Sequence, residues 1–506
     1  GGPVIVEAMT FRMRGHEEAS GTDYIPKSLF SKWSKKDPIN NYKKFLKSKK
    51  ILNQKEQDLI DSKISKLIDS SFEHAFNSPE PKSNEDNEIN DVYKNYKFKK
   101  IEPCDKVDNK RYVDAISETL NKIMKKDEKT LILGQDISEY GGVFKITKGF
   151  LEDFGSDRVR NTPIIESGVL GASIGLALDG YKPIIEMQFA DFVSCGFNQI
   201  TNNIAKTHYR WNEPLNITIR MPYGGGMSAG PFHSQSPESW FFHTPGLKIV
   251  APSTPYDAKG LLKSCIDDPN PVLYFEHKFM YRSIKGKVPE NDYNIEIGKA
   301  KIVKKGTDLS VISYGMGIHW ALNIAKKLER DNINLEVVDL RSLLPWDKET
   351  VKQSVLKTNR VLILHEANMT GGVGSEISAY VAEHCFEYLD APVVRVASID
   401  TPVPFASKIE KEIYKVGEDK IIFRDLRKML NKLIDFKNDP KKNYDFGKWN
   451  DLSNHDPFMD GEGGKRVGLF LNDLINFYNE GLDSSAAITK AIKRYSDNHG
   501  KDKVHG

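Results

Sequence analysis

Cysteine is scarce in this chain of 506 residues: Cys104, Cys195, Cys265 and Cys385 lie far apart and form no Cys-x-x-Cys pair. That pattern argues against a structural zinc site and for a reducing compartment, the cytoplasm or, in a eukaryote, the mitochondrial matrix. No apolar run approaches the ~20 residues that span a bilayer, and no amino-terminal signal peptide is visible. Charge of one sign is also missing. Lys and Arg (73) and Asp and Glu (70) are interspersed, leaving +3. Without a basic stripe, neither nucleic acid nor a membrane surface is expected as a partner. The hydrophobic share, 39%, is low for a compact globule and points to polar segments outside the cores. No dinucleotide-type Gly-x-Gly-x-x-Gly follows a strand, no Walker loop occurs, and no Ser-His-Asp order stands out.

What is present suits about three domains of roughly 150 residues. Residues 4–11, Val-Ile-Val-Glu-Ala-Met-Thr-Phe, read as a buried strand, and a chain opening this way reads as the back part of a longer polypeptide. A polar loop holding Arg12, Arg14, Gly15 and His16 comes next, then helices over Asn40 to Lys47 and Gln54 to Phe76. The second helix carries Leu59, Ile60, Ile64, Leu67 and Ile68 on one face. From Asn77 to Asn95 the composition is that of a mobile linker.

A helix over Tyr112 to Lys125 opens the next domain. Short apolar strands then alternate with helices: Thr130–Gly134, helix Val169–Ala177, Pro183–Met187, helix Phe192–Tyr209, Asn216–Arg220, Lys248–Ala251 and Val272–Phe275. The alternation repeats from about Gly298 to Leu433. Such runs predict α/β architecture, two parallel-sheet sandwiches with both sheet faces covered. The boundaries follow as 1–78, a linker at 79–108, 109–300, 301–434 and a tail at 435–506. The tail predicts helices over Val467 to Tyr478 and Ser485 to Tyr495.

The chemistry concentrates between Asn161 and Gly246. Glu166, set among Pro, Ile, Val, Leu and Gly, either caps the helix that starts near Gly168 or is a carboxyl whose pKa desolvation raises for sharing a proton with a weak nitrogen base. His233 lies in a Gly- and Ser-rich loop, where a histidine is either solvated and idle or functional. Arg12 and His16 could meet an anion, or form an exposed basic turn. Cys265, Asp267, Asp268 and Asn270 lack the histidine that zinc favours. Hard oxygens there suit an alkali or alkaline-earth cation, and a plain helix-ending turn before Pro271 is the alternative.

Several motifs in one order carry a resemblance: Gly141-Gly-Val-Phe144, Asn161-Thr-Pro-Ile-Ile-Glu-Ser-Gly, Gln188-Phe-Ala-Asp, His233-Ser-Gln-Ser-Pro-Glu, Asp339-Leu-Arg-Ser-Leu-Leu-Pro-Trp346, His365-Glu-Ala and Asp400-Thr-Pro-Val-Pro404. Residues ~109 to ~434 resemble the beta subunit of the decarboxylating component of 2-oxo acid dehydrogenase complexes, most like the branched-chain type. Residues ~3 to ~78 resemble the C-terminal end of the alpha subunit, through the Arg-Gly-His loop and Lys36-Asp-Pro38-Ile. The resemblance implies a transketolase-like pyrimidine-binding domain and a transketolase C-terminal-like domain, behind an alpha-type fragment and ahead of a small helical tail. The implied cofactor is thiamine diphosphate, with Mg²⁺ held mainly by the alpha part, whose Gly-Asp-Gly…Asn motif is absent from this sequence.

By position, the resemblance makes Glu166 the partner of the aminopyrimidine ring nitrogen, driving the imino tautomer that takes the thiazolium proton. Ile164, Gln188 and Phe192 would line the pyrimidine pocket. His233 would stand at the reacting centre, as donor or in acyl transfer, and His16 and Arg12 near the diphosphate. A potassium ion would sit on Cys265, Asp268 and Asn270 with backbone carbonyls of Leu215, Ile217 and Thr218. The implied reaction is oxidative decarboxylation of a 2-oxo acid, branched-chain or pyruvate, with acyl transfer to the lipoyl domain of a dihydrolipoyl acyltransferase. Self-association or an alpha subunit completes the enzyme. The alternatives are another thiamine enzyme, acetoin-cleaving or transketolase-like, or an inactive assembly subunit. Glu17 stands where relatives regulated by phosphorylation carry Ser, which puts that control in doubt.

Overall fold

The computed structural model describes residues 4–17, 19–410 and 463–499. It divides into two units, Gly1–Glu85 and Asp86–Gly506. The first unit is helical: Lys27–Ser34, Pro38–Ser48 and Gln54–Asn77. Local signals set the helix starts. Asp37 accepts from the Asn40 amide at 2.7 Å with Pro38 in the first turn, and Asn53 and Glu56 form a reciprocal capping box (2.9 and 2.8 Å). The expected strand at 4–11 is not formed. Val4, Ile5 and Val6 are exposed, and no described residue of this unit is in a strand that could supply the edge hydrogen bonds. The apolar face of Gln54–Asn77 exists as expected, and in this unit it faces solvent.

The second unit has strands β1 (Val107–Arg111), β2 (Thr130–Gly134), β3 (Val159–Asn161), β4 (Lys182–Glu186), β5 (Thr218–Tyr223), β6 (Lys248–Val250), β7 (Val272–His277) and β8 (Lys285–Pro289). After them come β9 (Lys301–Lys304), β10 (Leu309–Ser313), β11 (Leu335–Asp339), β12 (Ser342–Leu344), β13 (Val361–Asn368) and β14 (Val394–Ser398). A seven-stranded sheet runs β12-β6-β7-β5-β4-β2-β3, and a five-stranded sheet runs β14-β13-β10-β11-β9. Both are parallel except at one edge, where β12 and β9 pair antiparallel. The expected pair of parallel α/β sandwiches is present.

Each central strand buries both faces, which is why it reads as a mostly apolar run. On β2, Leu131 and Leu133 enter one core while Ile132 enters the opposite one. On β7, Leu273 and Phe275 oppose Val272 and Tyr274 in the same way. The helix Tyr112–Lys126 seats Tyr112, Ile116, Leu120 and Ile123 on the outer core.

Two expectations change. The two sandwiches share a core, as one apolar cluster joins Ile219 and Leu273 to Val338, Leu343 and Val355, and β12 adds its strand to the neighbouring sheet. The helix expected over Phe192 to Tyr209 is instead a 3-10 turn (Ala190–Gly196), a π-turn (Gln199–Ile204) and a short α-helix (Thr207–Trp211). The segment packs closely at Gly196, where a Cβ would lie 2.2 Å from Leu170 Cδ1.

The linker expectation also fails from Glu85 onward. A short helix (Glu85–Asn90) leads into a strap held by three asparagines, each gripping a backbone N–H and a C=O. Asn270 takes Lys94, Asn294 takes Ile101 and Lys99, and Asn291 takes Cys104 and Glu102. In the tail, the expected helices appear as Gly463–Asn479 and Ser484–His499, packed through Phe477, Ala487 and Ala491. The expected close of the second sandwich at 411–434 and the loop at Asp460 lie outside the described residues.

Candidate active site

The sheet order reverses at β2. The chain leaves β2 for β3 on one side, and leaves β4 for β5 on the other. A crevice therefore opens between the carboxyl ends of β2 and β4, the usual ligand position in such sheets. Gln135-Asp136 follows β2, Gln188 follows β4, and Glu166 begins the helix after β3. Gln135 Nε2 donates to Glu166 Oε1 at 3.1 Å, and Gln188 Nε2 donates to Asp136 Oδ2 at 3.4 Å. Two adjacent residues thus tie Glu166 and Gln188 to one corner. Glu166 is half-buried, not enclosed as its apolar neighbours suggested, because Ile164 (85% exposed) and Ile165 point to solvent in this unit.

Phe192 lies on the 3-10 turn after Gln188, beside Phe189. The His233 ring meets both edge-on, with centroids 5.5 Å from Phe192 and 4.8 Å from Phe189. Asp191, on the same turn, is buried. Its Oδ1 accepts from the amides of Ser234 and Gln235, the two residues after His233 (3.2 and 3.0 Å). One turn therefore supplies both the aromatic walls and the anchor of the histidine loop. The His233 ring nitrogens have no hydrogen-bond partner among the described residues.

Beneath the crevice, Arg220 on β5 is fully buried. It forks onto Glu276 (Nε 2.6 Å, Nη2 2.9 Å) and reaches Glu186 with Nη1 at 2.6 Å. Behind the loop, Tyr314 donates to Glu238 Oε1 at 2.6 Å. Burial pushes the Glu238 carboxyl up to about 7, and burial pushes His365 down to about 4.

The other candidates fall elsewhere. In the first unit, Arg12 Nη1 lies 3.4 Å from His16 Nδ1 and 3.5 Å from the His16 carbonyl. Gly15 is required between Arg14 and His16, since a Cβ there would sit 2.0 Å from the Ser20 carbonyl oxygen. The segments of the proposed potassium site do come together. Asn216 donates to the Ile266 carbonyl, and Val272 N donates to the Ile217 carbonyl. Asp268, however, takes the Lys248 ammonium at 2.6 Å and both Asn270 nitrogens at 2.9 Å. Cys265 is buried, and burial raises its thiol pKa well above the ordinary value. Among the described residues, no group of three or more His, Cys, Asp or Glu side chains could hold a metal ion.

Residues 108–283 match the model for the transketolase pyrimidine binding domain, and residues 298–421 that for the transketolase C-terminal domain. Residues 1–84 match the model for the dehydrogenase E1 component. The 2-oxoisovalerate dehydrogenase subunit beta of Bacillus subtilis (strain 168) is 48% identical over 313 residues, 61% of this chain and 95% of that protein. The chain belongs to the E1 beta subunits of 2-oxo acid dehydrogenases. A mitochondrial 2-oxoisovalerate dehydrogenase subunit beta of Dictyostelium discoideum is 46% identical over 316 residues, 61% of this chain and 85% of that one. A pyruvate dehydrogenase E1 component subunit beta of Staphylococcus epidermidis is 44% identical over 295 residues, 58% of this chain and 91% of that protein. A solved split gene transketolase, described as an inactive beta4 tetramer, covers 65% of this chain and 99% of its own at TM-score 0.52. At 23% identity it shows the fold alone.

Within this E1 beta chain, reading by motif singled out Glu166, Gln188, Phe192 and His233, and the fold brings them to one crevice and its adjoining loop. It missed the residues that hold the loop: Asp191, Lys278, Glu366 and Glu410. Asp191 and Glu366 sat inside quoted motifs, but a carboxylate that serves backbone amides dozens of residues away leaves no local pattern. Among the described residues, no helix is long and apolar enough to cross a membrane.

Glu238 offers a pH test. Its folded pKa of about 7 lies above the ordinary 4.5, so the folded state holds a proton that the unfolded chain has lost between those values. Stability should fall as pH rises across that window, by about 3 kcal/mol, and stay level above it. His365 works in the opposite sense but is shared by wild type and Glu238→Gln. The difference in melting temperature between the two should therefore shift against wild type from pH 4.5 to 7.5. A pH-independent difference would contradict this assignment.

Proposed function

We propose that this chain supplies the pyrimidine-side half of a thiamine diphosphate site that oxidatively decarboxylates a 2-oxo acid, branched-chain or pyruvate. In this reading the acyl group passes to the lipoyl group of a dihydrolipoyl acyltransferase. The supporting observation is the corner at Gln135-Asp136, which holds Glu166 and Gln188 across the switch-point crevice with His233 walled by Phe189 and Phe192. A half-buried carboxylate, an amide and an aromatic face are the donor set an aminopyrimidine needs, so the residues fit the group.

When bound, thiamine diphosphate supplies the electron sink for loss of CO₂. Glu166 would share a proton with a pyrimidine ring nitrogen, and Gln135, bonded to Oε1, orients that carboxyl. Ile164 and Phe192 would be the residues to cover the ring, and Gln188 would offer its amide to the polar edge. The edge-on packing leaves the His233 nitrogens available to donate a proton to the substrate's oxygen or to assist transfer at the lipoyl sulfur. In the first unit, Arg12 and His16 would offer N–H donors suited to a diphosphate. Mg²⁺ comes with a diphosphate-binding half contributed by an alpha subunit. A potassium ion near Asp268 would rest on backbone carbonyls of Leu215, Ile217, Thr218, Cys265, Asp268 and Asn270, since the Asp268 side chain is already spent on Lys248. No step is assigned to it. The four free cysteines suit a reducing compartment, cytoplasm or matrix.

The test combines the full chain with an alpha-type partner, thiamine diphosphate, Mg²⁺ and a lipoyl domain, and supplies pyruvate and branched-chain 2-oxo acids in turn. Mass spectrometry should find the lipoyl domain carrying the acyl group of at least one of them. No acylation with any 2-oxo acid would overturn the reading.

A further inference from the structure

The loop from Gly224 to Pro237 leaves the end of β5 and carries His233, yet much of what fixes it comes from the second sandwich. Gly225 N donates to Glu366 Oε1 at 2.8 Å. Gly226 N and Ser228 N donate to the two oxygens of Glu410, at 2.6 and 2.9 Å. Glu366 lies on β13, and both carboxylates are buried. The loop is closed at its base by Gly224 N donating to the Gln235 carbonyl at 3.1 Å, and Lys278 Nζ donates to the Gly224 carbonyl at 2.7 Å.

Glu366 is itself locked in place. Its second oxygen bonds His277 Nε2, and the His277 ring fills the space where a Cβ on Gly224 would lie, 2.2 Å from Nε2. Gly224 has φ +89°, so the loop starts from a conformation that side chains avoid, pressed on a ring that Glu366 holds. Further along, Gly230 (φ +74°) lies against Phe405, whose ring a Cβ would meet at 2.4 Å. The second sandwich thus grips the loop at its start, its middle and just before the histidine.

We propose that Glu366 is a positioning residue for His233, and that through it and Glu410 the second sandwich takes part in the active site without touching substrate. A buried carboxylate taking a backbone amide is a strong, directional bond, and losing it leaves an amide and a histidine unpaired. Displacing a reacting group by about 1 Å can cost roughly a hundredfold in rate. The inference rests on the reading of His233 as a residue of the reacting face.

A double-mutant cycle on the assembled holoenzyme tests it, with lipoyl-domain acylation at saturating substrate as readout. Glu366→Ala should lower kcat roughly ten- to a hundredfold when His233 is present. With His233→Ala in place it should cost less than about threefold, because a misplaced histidine and a missing one are equally lost. Glu366→Gln should recover most of the rate: its carbonyl still accepts from Gly225, and its amide can donate to His277. Glu410→Gln keeps Oε1 for Gly226 and disturbs only the Ser228 bond. It is the milder probe should Glu366→Ala fold poorly, and should show the same non-additivity. Equal losses in both His233 backgrounds would overturn the proposal and leave the reading of His233 standing. A His233→Ala enzyme as active as wild type would remove that reading and the proposal together.

Discussion

Glu166→Ala should abolish 2-oxo acid-dependent acylation of a lipoyl domain, a fall of roughly a thousandfold, while the protein keeps its fold. The two halves of that expectation have separate grounds. Glu166 is half-buried at the first position of the helix Glu166–Leu178, and its side chain accepts a hydrogen bond from Gln135. Removing a carboxylate from a helix start costs only about 0.3–1 kcal/mol, too little to unfold a domain of this size. A proton-sharing group in the reacting assembly contributes roughly a hundred- to ten-thousandfold. Glu166→Gln separates capping from chemistry, since the amide keeps size and the contact with Gln135 but cannot share a proton in the same way. Activity of Glu166→Gln near wild type, with a melting temperature lowered as in the alanine variant, would return Glu166 to a capping role.

Arg220→Leu should cost stability instead. Glu186 and Glu276 face the Arg220 guanidinium in a fully buried cluster, and Tyr281 donates to Glu276 at 2.7 Å. Burial pushes the Glu186 carboxyl pKa up, with Arg220 pulling it back. Without the arginine, two carboxylates lie buried at short range with no cation. Breaking a buried pair in this way costs about 3–5 kcal/mol, which lowers the melting temperature by roughly 10 °C in a domain of this size. The variant should recover part of the loss in acid. The Glu186 carboxyl would bind a proton more readily folded than unfolded, so the added stability is present at low pH and falls away as pH rises through its raised pKa. Arg220→Lys keeps the charge and loses the fork, and should fall between. An unchanged melt for Arg220→Leu at pH 8 would contradict the account.

The two effects differ in how far they could be read before the fold was known. Glu166 stands in a run of residues whose order is diagnostic. Arg220 reads as an unremarkable residue at the end of a strand, and only the register of β4, β5 and β7 places Glu186 and Glu276 on either side of it. Segments 4–11 and 77–95 show the converse. Their compositions suggested a strand and a linker, but a strand needs an edge to pair with. The latter part of the linker region was ordered by asparagines nearly two hundred residues away in sequence.

By itself the sequence determined the two parallel sandwiches, because strands buried on both faces are apolar at most positions. It also determined which side chains could do chemistry. The tertiary structure decided where those side chains meet. The reversal of strand order at β2 opened the crevice, the 3-10 turn Ala190–Gly196 set Asp191 and Phe192, with Phe189 just before it, against His233 and its loop, and two carboxylates of the second sandwich fixed the loop that carries it. Those contacts join residues from 41 to 184 positions apart. Hydrogen bonds of that span follow from sheet order and domain packing, which no local pattern of residues records.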